Sequence, residues 1–511
     1  MIDVLARNPL FAGLDPSELG DLEAVMRRKE FDAGQVICHE GEAAESLFVI
    51  VDGFARVLHD DQPVARLRRG DVIGEMSLVS GEPRSATVVA AVPSTVYELS
   101  RYGVAALIAE QPRILENLTR ILTDRLVTTT ARVADSRARG EAVTLALSEK
   151  AASSLPDVIA ATEAASPRPV AVLDVRDSLD ALETLDELLA KNGTVVVVAA
   201  PGTNAAEEAA DRAVTLDEPP GDVARLGRHL SRTKLGLALG AGGAKGYAHV
   251  ATLRVLEDAG YTVDYVSGSS IGAMVGAWIA LGRDSHEIEA TMRETFTGET
   301  IDEIFKLSLT GGSTGVDAMT RLLRDTTEDK TFEDIVIPFV AMTVDLNARA
   351  PAPVTDGPLW EALLAATALA GMFPPQEQDG KRLVDGLALV PVPTDSVVEL
   401  GADVTVAVNI LGRQTLDAWP GELPAAEPTT NPRSRMLDTL LEVMDVAQLD
   451  SSERHAARAD VPVTPLFGPS SWRDFHLADL FFEAGREAAE EQLPKLQSLA
   501  RPTKEVAHGR S

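Results

Sequence analysis

The sequence predicts a multidomain chain with a short-stranded β module at its N-terminus, a small α/β segment in the middle and a larger α/β unit at its C-terminus. Three observations predict this. The 511 residues correspond to roughly three domains at about 150 residues each. Six glycines, Gly34, Gly41, Gly53, Gly70, Gly74 and Gly81, divide the first hundred residues into short apolar segments such as 46–51 and 86–90, the rhythm of a β-sandwich or barrel. From about Arg139 onward, apolar runs alternate with amphipathic stretches, the pattern of parallel βαβ units.

In chain order, the first module is flanked by helical patterns at 16–26, with Asp15 as N-cap, and at 104 to about 134. The central segment reads as strand, helix and strand over 169–174, 179–190 and 194–199. It holds no catalytic constellation, and its Ala/Glu/Asp-rich stretch at 204–211 is expected to be a solvated helix or loop. Stronger βα alternation runs from Lys234 to about residue 412. Pro420, Pro424, Pro428 and Pro432 then mark an excursion over 414–434, and helical periodicity returns at 436–457 and 477–500. Provisional borders are 1–135, 136–233, 234–412 and 413–511, the last piece completing the C-terminal unit.

Acidic residues outnumber basic ones by 78 to 47, a formal charge of −31. Such a field repels phosphate backbones and anionic bilayers at long range, so nucleic acid is not an expected partner. Cys38 is the single cysteine, which excludes an internal disulfide and a thiolate metal cluster, and no metal site is expected. No N-terminal run has signal-peptide length. The longest apolar stretch, 271–281, is about half the ~20 residues a bilayer span needs. The expected location is the cytoplasm. Residues 1–130 carry 13 basic and 20 acidic side chains, so any anion captured there needs a local cradle.

The run 71–88 offers such a cradle. A glycine turn at Gly74 precedes a short helical turn, and Arg84 follows before a β-rich segment. Backbone N–H groups at a helix start can hold an anion, and an arginine can add a bidentate contact. Glu75 repels a phosphate, so its functional reading needs a hydroxyl donor such as a ribose 2′-OH. An exposed surface turn is the alternative reading.

In the C-terminal unit, the run 235–250 reads as strand, glycine loop and helix start. Three uses compete for such a loop: dinucleotide binding, a P-loop and an oxyanion hole. Lys245 stands where the third glycine of a dinucleotide loop would be, and Tyr247 follows Gly246 where a P-loop needs Lys-Ser/Thr chemistry. About two dozen residues on, 268–272 fits G-x-S-x-G with Ser270 at its centre, between an apolar strand and an Ala/Gly-rich helix. Small neighbours let the backbone turn sharply there and expose Oγ. For the base, His286, His455 and His476 are candidates for a Ser-His-Asp triad, yet none sits in a glycine-flanked turn. His249, early in its helix, reads as a packing or capping residue. Asp385 closes an apolar run and precedes Gly386, so it is either a carboxylate presented at a strand end or an ordinary Asp-Gly turn.

These motifs carry two resemblances. The run 71–88 resembles the phosphate-binding cassette of the cyclic-nucleotide-binding family, with similarity over about residues 8–130, including 11–14. That implies a β-roll fold. Arg84 and Ser85 would meet a cyclic phosphate, Glu75 and the Gly74 backbone the ribose, with Met76 and Ser77 completing the cassette. Both cAMP and cGMP are compatible with Ser85. The loop 242–246, the elbow 268–272 and Asp385-Gly386 together resemble the patatin-like phospholipase family over about residues 234–410, as do 339–346 and 371–375. That implies an α/β hydrolase domain with a Ser270–Asp385 dyad and an oxyanion loop of Gly242, Gly243, Ala244, Lys245 and Gly246, with no cofactor for catalysis. Ala241 replaces a usual glycine, Leu387 replaces the usual small residue, and 389–391 lacks the asparagines often found there.

The domain order resembles bacterial relatives of neuropathy target esterase. This implies a lysophospholipase or phospholipase independent of calcium, regulated by a cyclic nucleotide and meeting lipid through apolar peripheral contact or as monomeric lysolipid. The alternative is a nucleotide-responsive binding or scaffold protein with an idle esterase site, which a fluorophosphonate probe distinguishes.

Overall fold

Glycine turns shape the N-terminal module as the sequence pattern requires: Gly34, Gly41, Gly53, Gly70 and Gly74 all take positive φ, which only glycine adopts freely. The computed structural model describes residues 8–43, 45–59, 62–74, 77, 83–111, 113–114, 117, 140–304, 315–370, 372–411, 432–468 and 470–503. Two units divide the chain, one of residues 1–163 with 168–223 and one of 164–167 with 224–511.

In the first unit, β1 (Arg27–Phe31), β2 (Val36–Cys38), β3 (Ser46–Asp52), β4 (Phe54–His59), β5 (Gln62–Arg68), β6 (Val72–Ile73), β7 (Thr87–Ala90) and β8 (Ser94–Ser100) form two antiparallel sheets. Their orders are β1-β8-β3-β6 and β2-β7-β4-β5. Strand side chains alternate faces, and β3 uses both. Phe48 and Ile50 enter the inter-sheet core with Ile37, Val88 and Val96. Leu47 and Val49 pack outward on Leu19 and Leu22 of helix α1 (Pro16–Val25) and Val104 of helix α2 (Arg101–Glu110). Asp15 caps α1 as expected, accepting from the Ser17 and Glu18 amides, while Glu18 returns a bond to the Asp15 amide, a reciprocal capping box. Of the helix expected over 104–134, residues 104–110 lie in α2 and 118–134 lie outside the described residues.

The same unit holds a parallel sheet of β9 (Glu141–Leu147), β10 (Val170–Asp174), β11 (Thr194–Ala199) and β12 (Arg212–Leu216), in the order β10-β11-β9-β12. The helix expected over 179–190 is a 3-10 turn, Leu179–Thr184, followed by α3 (Leu185–Lys191). One expectation is corrected: 204–211 is not a solvated segment. Helix α4 (Asn204–Ala209) buries Ala205, Ala206 and Ala209, and Thr144 Oγ1 donates to the Ala206 carbonyl at 2.7 Å. Its alanines form the inward face, and being small they give a weak periodic signal.

The second unit is built on a mixed sheet. Its parallel core runs β15 (Phe339–Asp345), β14 (Val263–Ser269), β13 (Leu235–Leu239), β19 (Val404–Val408) and β20 (Val461–Val463). Beyond β15, β18 (Lys381–Asp385) and β17 (Gln376–Gln378) continue antiparallel, and β16 (Ala350–Val354) also pairs β15. Helices α5 (Tyr247–Asp258) and α6 (Ile271–Ala280) follow the first two core strands. Every residue of α6 is buried, Trp278 completely. The C-terminal residues belong to this unit through β20, α7 (Pro432–Ala456) and α8 (Ala478–Leu499). Helix α8 lies so close to α5 that a Cβ on Gly485 would sit 2.5 Å from Ala248 Cα, and Phe481 meets Phe467 edge to face with centroids 5.4 Å apart.

Candidate active site

Leu239 at the end of β13 pairs with Gly268 in β14, so the glycine loop and the elbow emerge side by side from the carboxyl ends of adjacent parallel strands, where open α/β sheets present ligand sites. Ser270 stands between β14 and α6 with φ 54 and ψ −125. A serine held there costs about 1–3 kcal/mol, and the sharp turn lifts its side chain clear of the sheet. The flanking glycines are sterically required. A Cβ on Gly268 would lie 2.1 Å from the Gly272 carbonyl oxygen, and one on Gly272 would lie 2.3 Å from that of Leu239.

Asp385 reaches the elbow across one strand. Ser269 pairs with Met342 of β15, and Thr343, the next residue, pairs with Asp385. The chain then turns at Gly386, where a Cβ would lie 2.6 Å from Met342 O and 2.7 Å from Ser269 Oγ. Asp385 is 3% exposed. Its Oδ1 accepts from the Leu387 amide at 2.8 Å, whereas Oδ2 is buried and has no bond of regular geometry. Burial raises its pKa to about 7; the Leu387 amide and the adjacent Ser270 hydroxyl pull the other way, and the charge of Asp445 adds a smaller upward push.

The loop amides divide by their partners. Ala241 donates to Pro391 O at 2.9 Å, Ala244 to Trp472 O at 2.8 Å and Lys245 to Gly242 O at 3.4 Å. Gly246 ends the 3-10 turn Gly243–Gly246. Gly242 and Gly243 line the pocket beside Ser270, and their amides have no backbone acceptor among the described residues. The Lys245 ammonium packs 6.0 Å from the Phe467 ring centroid. Burial lowers its pKa, and Asp445 and Asp474 oppose that.

The pocket measures about 750 Å³ with its open mouth. Its wall is mostly apolar, with Met274, Phe296, Met319, Leu369, Met372 and Phe373, and Asp445 is its charged member among the described residues. None of the four histidines considered from sequence lines it. His286 is exposed in a helix first turn capped by Asp284, His455 is near Ser451, His476 is exposed, and His249 is bonded to the Gly240 carbonyl.

In the β-roll, Arg84 is 5% exposed. Its guanidinium donates to Gly74 O at 3.1 Å and Ser46 O at 2.5 Å, and Nε is buried without a partner among the described residues. Gly74 takes φ 86, which favours glycine, and a Cβ there would fall 1.7 Å from Arg84 Nη1, so the arginine tip would have to move. Ser77 Oγ donates to Pro83 O at 3.1 Å, and Ser85 is exposed. Arg84 is therefore an enclosed cation rather than the exposed arm of a surface turn. Glu75 and Met76 lie outside the described residues.

Residues 237–398 match the family model described as patatin-like phospholipase, and residues 28–111 match that of the cyclic nucleotide-binding domain. The chain carries a patatin-like phospholipase domain and a cyclic nucleotide-binding domain. Over 202 residues it is 33% identical to patatin-like phospholipase domain-containing protein 6 of Mus musculus, covering 38% of this chain and 15% of that protein. Over 225 residues it is 32% identical to an uncharacterized NTE family protein of Mycobacterium bovis, covering 44% of this chain and 62% of that one. The matches thus span less than two thirds of either relative. The Thermus thermophilus catabolite activator protein aligns at 30% identity and a TM-score of 0.24, covering 25% of this chain and 62% of that one.

The patatin-like domain tolerates its departures from the family pattern. Ala241 does not take positive φ, and its amide is used structurally rather than at the pocket. Leu387 supplies both the amide that orients Asp385 and a piece of pocket wall. Sequence reasoning missed Asp445, Trp472 and Phe475, which line the pocket from beyond the matched region. An acidic residue on α7 carries the same signal as any solvated helix face, so nothing in the sequence marks Asp445.

Proposed function

We propose that the patatin-like domain hydrolyses fatty-acyl esters of lysophospholipids or phospholipids through a Ser270–Asp385 dyad, and that the β-roll binds a regulatory cyclic nucleotide. The observation that carries the first part is a convergence around Ser270: its own strained backbone, the buried Asp385 carboxyl beside its hydroxyl, and the pocket-lining Gly242 and Gly243, whose amides have no backbone acceptor among the described residues. In the proposed reaction, Asp385 takes the Ser270 proton as Oγ attacks the acyl carbonyl, and the two glycine amides stabilise the oxyanion. Asp385 returns the proton to the leaving alcohol, and water then attacks the acyl-serine ester to free the fatty acid. The apolar wall accepts the acyl chain.

A hydrolysis panel of phospholipids and lysophospholipids tests this, read with fluorophosphonate labelling of Ser270. The expected result is labelling of the wild type and release of fatty acid from at least one lipid class. A folded protein that neither labels nor hydrolyses would refute the proposal.

For the roll, the enclosed Arg84, bonded to Gly74 O and with Nε lacking a partner among the described residues, supports an anion site. Calorimetry with cAMP and cGMP is expected to give a binding isotherm for one of them, lost in Arg84→Ala. An isotherm unchanged by that substitution would refute the cradle. Regulation further requires that the nucleotide favour one state of the catalytic domain, which the same lipid panel reads when repeated with each nucleotide.

A further inference from the structure

We propose that His249 is a positioning residue for this hydrolysis: its imidazole clamps the Gly240 carbonyl and holds the oxyanion loop in register with the nucleophile elbow. The role in turnover rests on the Ser270 esterase reading above. His249 is the third residue of α5 and is wholly buried. Its Nε2 lies 2.8 Å from Gly240 O. A carbonyl oxygen only accepts, so Nε2 carries the proton and Nδ1 is left as a bare lone pair. That Nδ1 is buried with no partner among the described residues. Burial also pushes the pKa down to about 4, so the ring is neutral and its tautomer is set by the one bond it makes. An apolar side chain would fill the space without an orphaned nitrogen, so packing alone does not account for a histidine here.

The acceptor's location gives the bond its consequence. The Gly240 carbonyl and the Ala241 amide belong to one rigid peptide plane. His249 holds the carbonyl end, and Pro391 O holds the amide end at 2.9 Å. This pinned peptide is the last one before the amides that face the pocket. Gly242 and Gly243, at φ 159 and 59, have no side chains to restrain them. The elbow packs on the same oxygen, since a Cβ on Gly272 would lie 2.7 Å from Gly240 O. One carbonyl is thus shared between the loop that would hold the oxyanion and the helix that presents Ser270.

Three forms of the full chain test the clamp: wild type, His249→Leu, which removes the donor, and His249→Gln, whose amide places an N–H near the position of Nε2. The expected kcat of His249→Leu is about 10²-fold below wild type with KM changed less than about twofold, since the loss falls on transition-state stabilisation. Fluorophosphonate labelling of Ser270 should slow by a similar factor, and His249→Gln should recover about tenfold. The acid limb of the pH profile should be the same in all three, because the base is Asp385. A wild-type kcat in His249→Leu, or a His249→Gln no faster than His249→Leu, would overturn the proposal. A readout independent of turnover is the nitrogen spectrum of histidine-labelled protein, with the His249 signal assigned by its absence from His249→Gln. It should show the Nε2–H tautomer and no titration between about pH 5.5 and 8; a ring that carries its proton on Nδ1, or titrates near 6.5, overturns the clamp. If the wild type neither labels nor hydrolyses, the esterase reading fails, and the spectrum still decides the clamp.

Discussion

Ser270→Ala is expected to remove ester hydrolysis almost completely, by about 10⁴-fold or more, because a nucleophile of this kind acts as a unit with its base and leaves only oxyanion and binding effects behind. Fluorophosphonate labelling should vanish with it. The fold should not suffer, since the hydroxyl's contact is with the Asp385 carboxyl. A companion variant gives the geometric half of the test. Ser270 occupies φ 54 and ψ −125, a conformation glycine adopts at little cost. Ser270→Gly should therefore be equally inactive yet raise the stability of the C-terminal unit by about 1 kcal/mol, read as a higher melting temperature of that unit. Retained hydrolysis in Ser270→Ala would remove the dyad assignment. A Ser270→Gly that melts below Ser270→Ala would show that the elbow is not held under strain.

That pairing explains why this part of the site is legible in the sequence. Gly268 and Gly272 are needed because their missing Cβ atoms would collide with backbone oxygens, and a steric demand of that kind leaves a residue-type signature. The glycine rhythm of the β-roll is legible for the same reason. Asp385 reads locally as a carboxylate at a strand end, and only the resemblance pairs it with Ser270, because the approach itself depends on the register of a parallel pairing of β14 with β15 and an antiparallel pairing of β15 with β18. Asp445 and Trp472 join the pocket from a part of the chain that returns to the sheet through β20, and no local pattern encodes that return. Spacing alone leaves Arg84 open between a cradle arginine and an exposed turn residue, and its enclosure is not legible locally, since the convergence of Gly74 O and Ser46 O on its guanidinium is a long-range fact. His249 differs again: its burial was foreseeable, but its single acceptor was not.

Asp385→Asn should separate function from stability in opposite directions. Activity should fall by at least about 10³-fold, because the amide cannot take the Ser270 proton. Stability should rise. Burial lifts the carboxyl pKa from the usual aspartate value, about 3.9, to about 7 in the folded protein, so the folded state binds this proton more tightly than the unfolded state does. The group's contribution to stability is fully present below about pH 4, falls as pH rises through about 7, and is constant beyond that. A difference of about three pH units at 1.36 kcal/mol each makes the ionised carboxylate cost about 4 kcal/mol at pH 8. Asparagine carries no charge at any of these values and can still accept from the Leu387 amide. The variant should therefore melt well above wild type at pH 8, and the gap should close toward pH 5. The same ionisation governs turnover with the opposite sign, since the base works only when deprotonated: wild-type kcat/KM should fall about tenfold per unit below about pH 7. A stability gap independent of pH, or an acid limb near pH 4, would show that Asp385 is not a buried, proton-retaining base. Coincidence of the two midpoints, one from melting and one from kinetics, would tie both effects to the same carboxyl group.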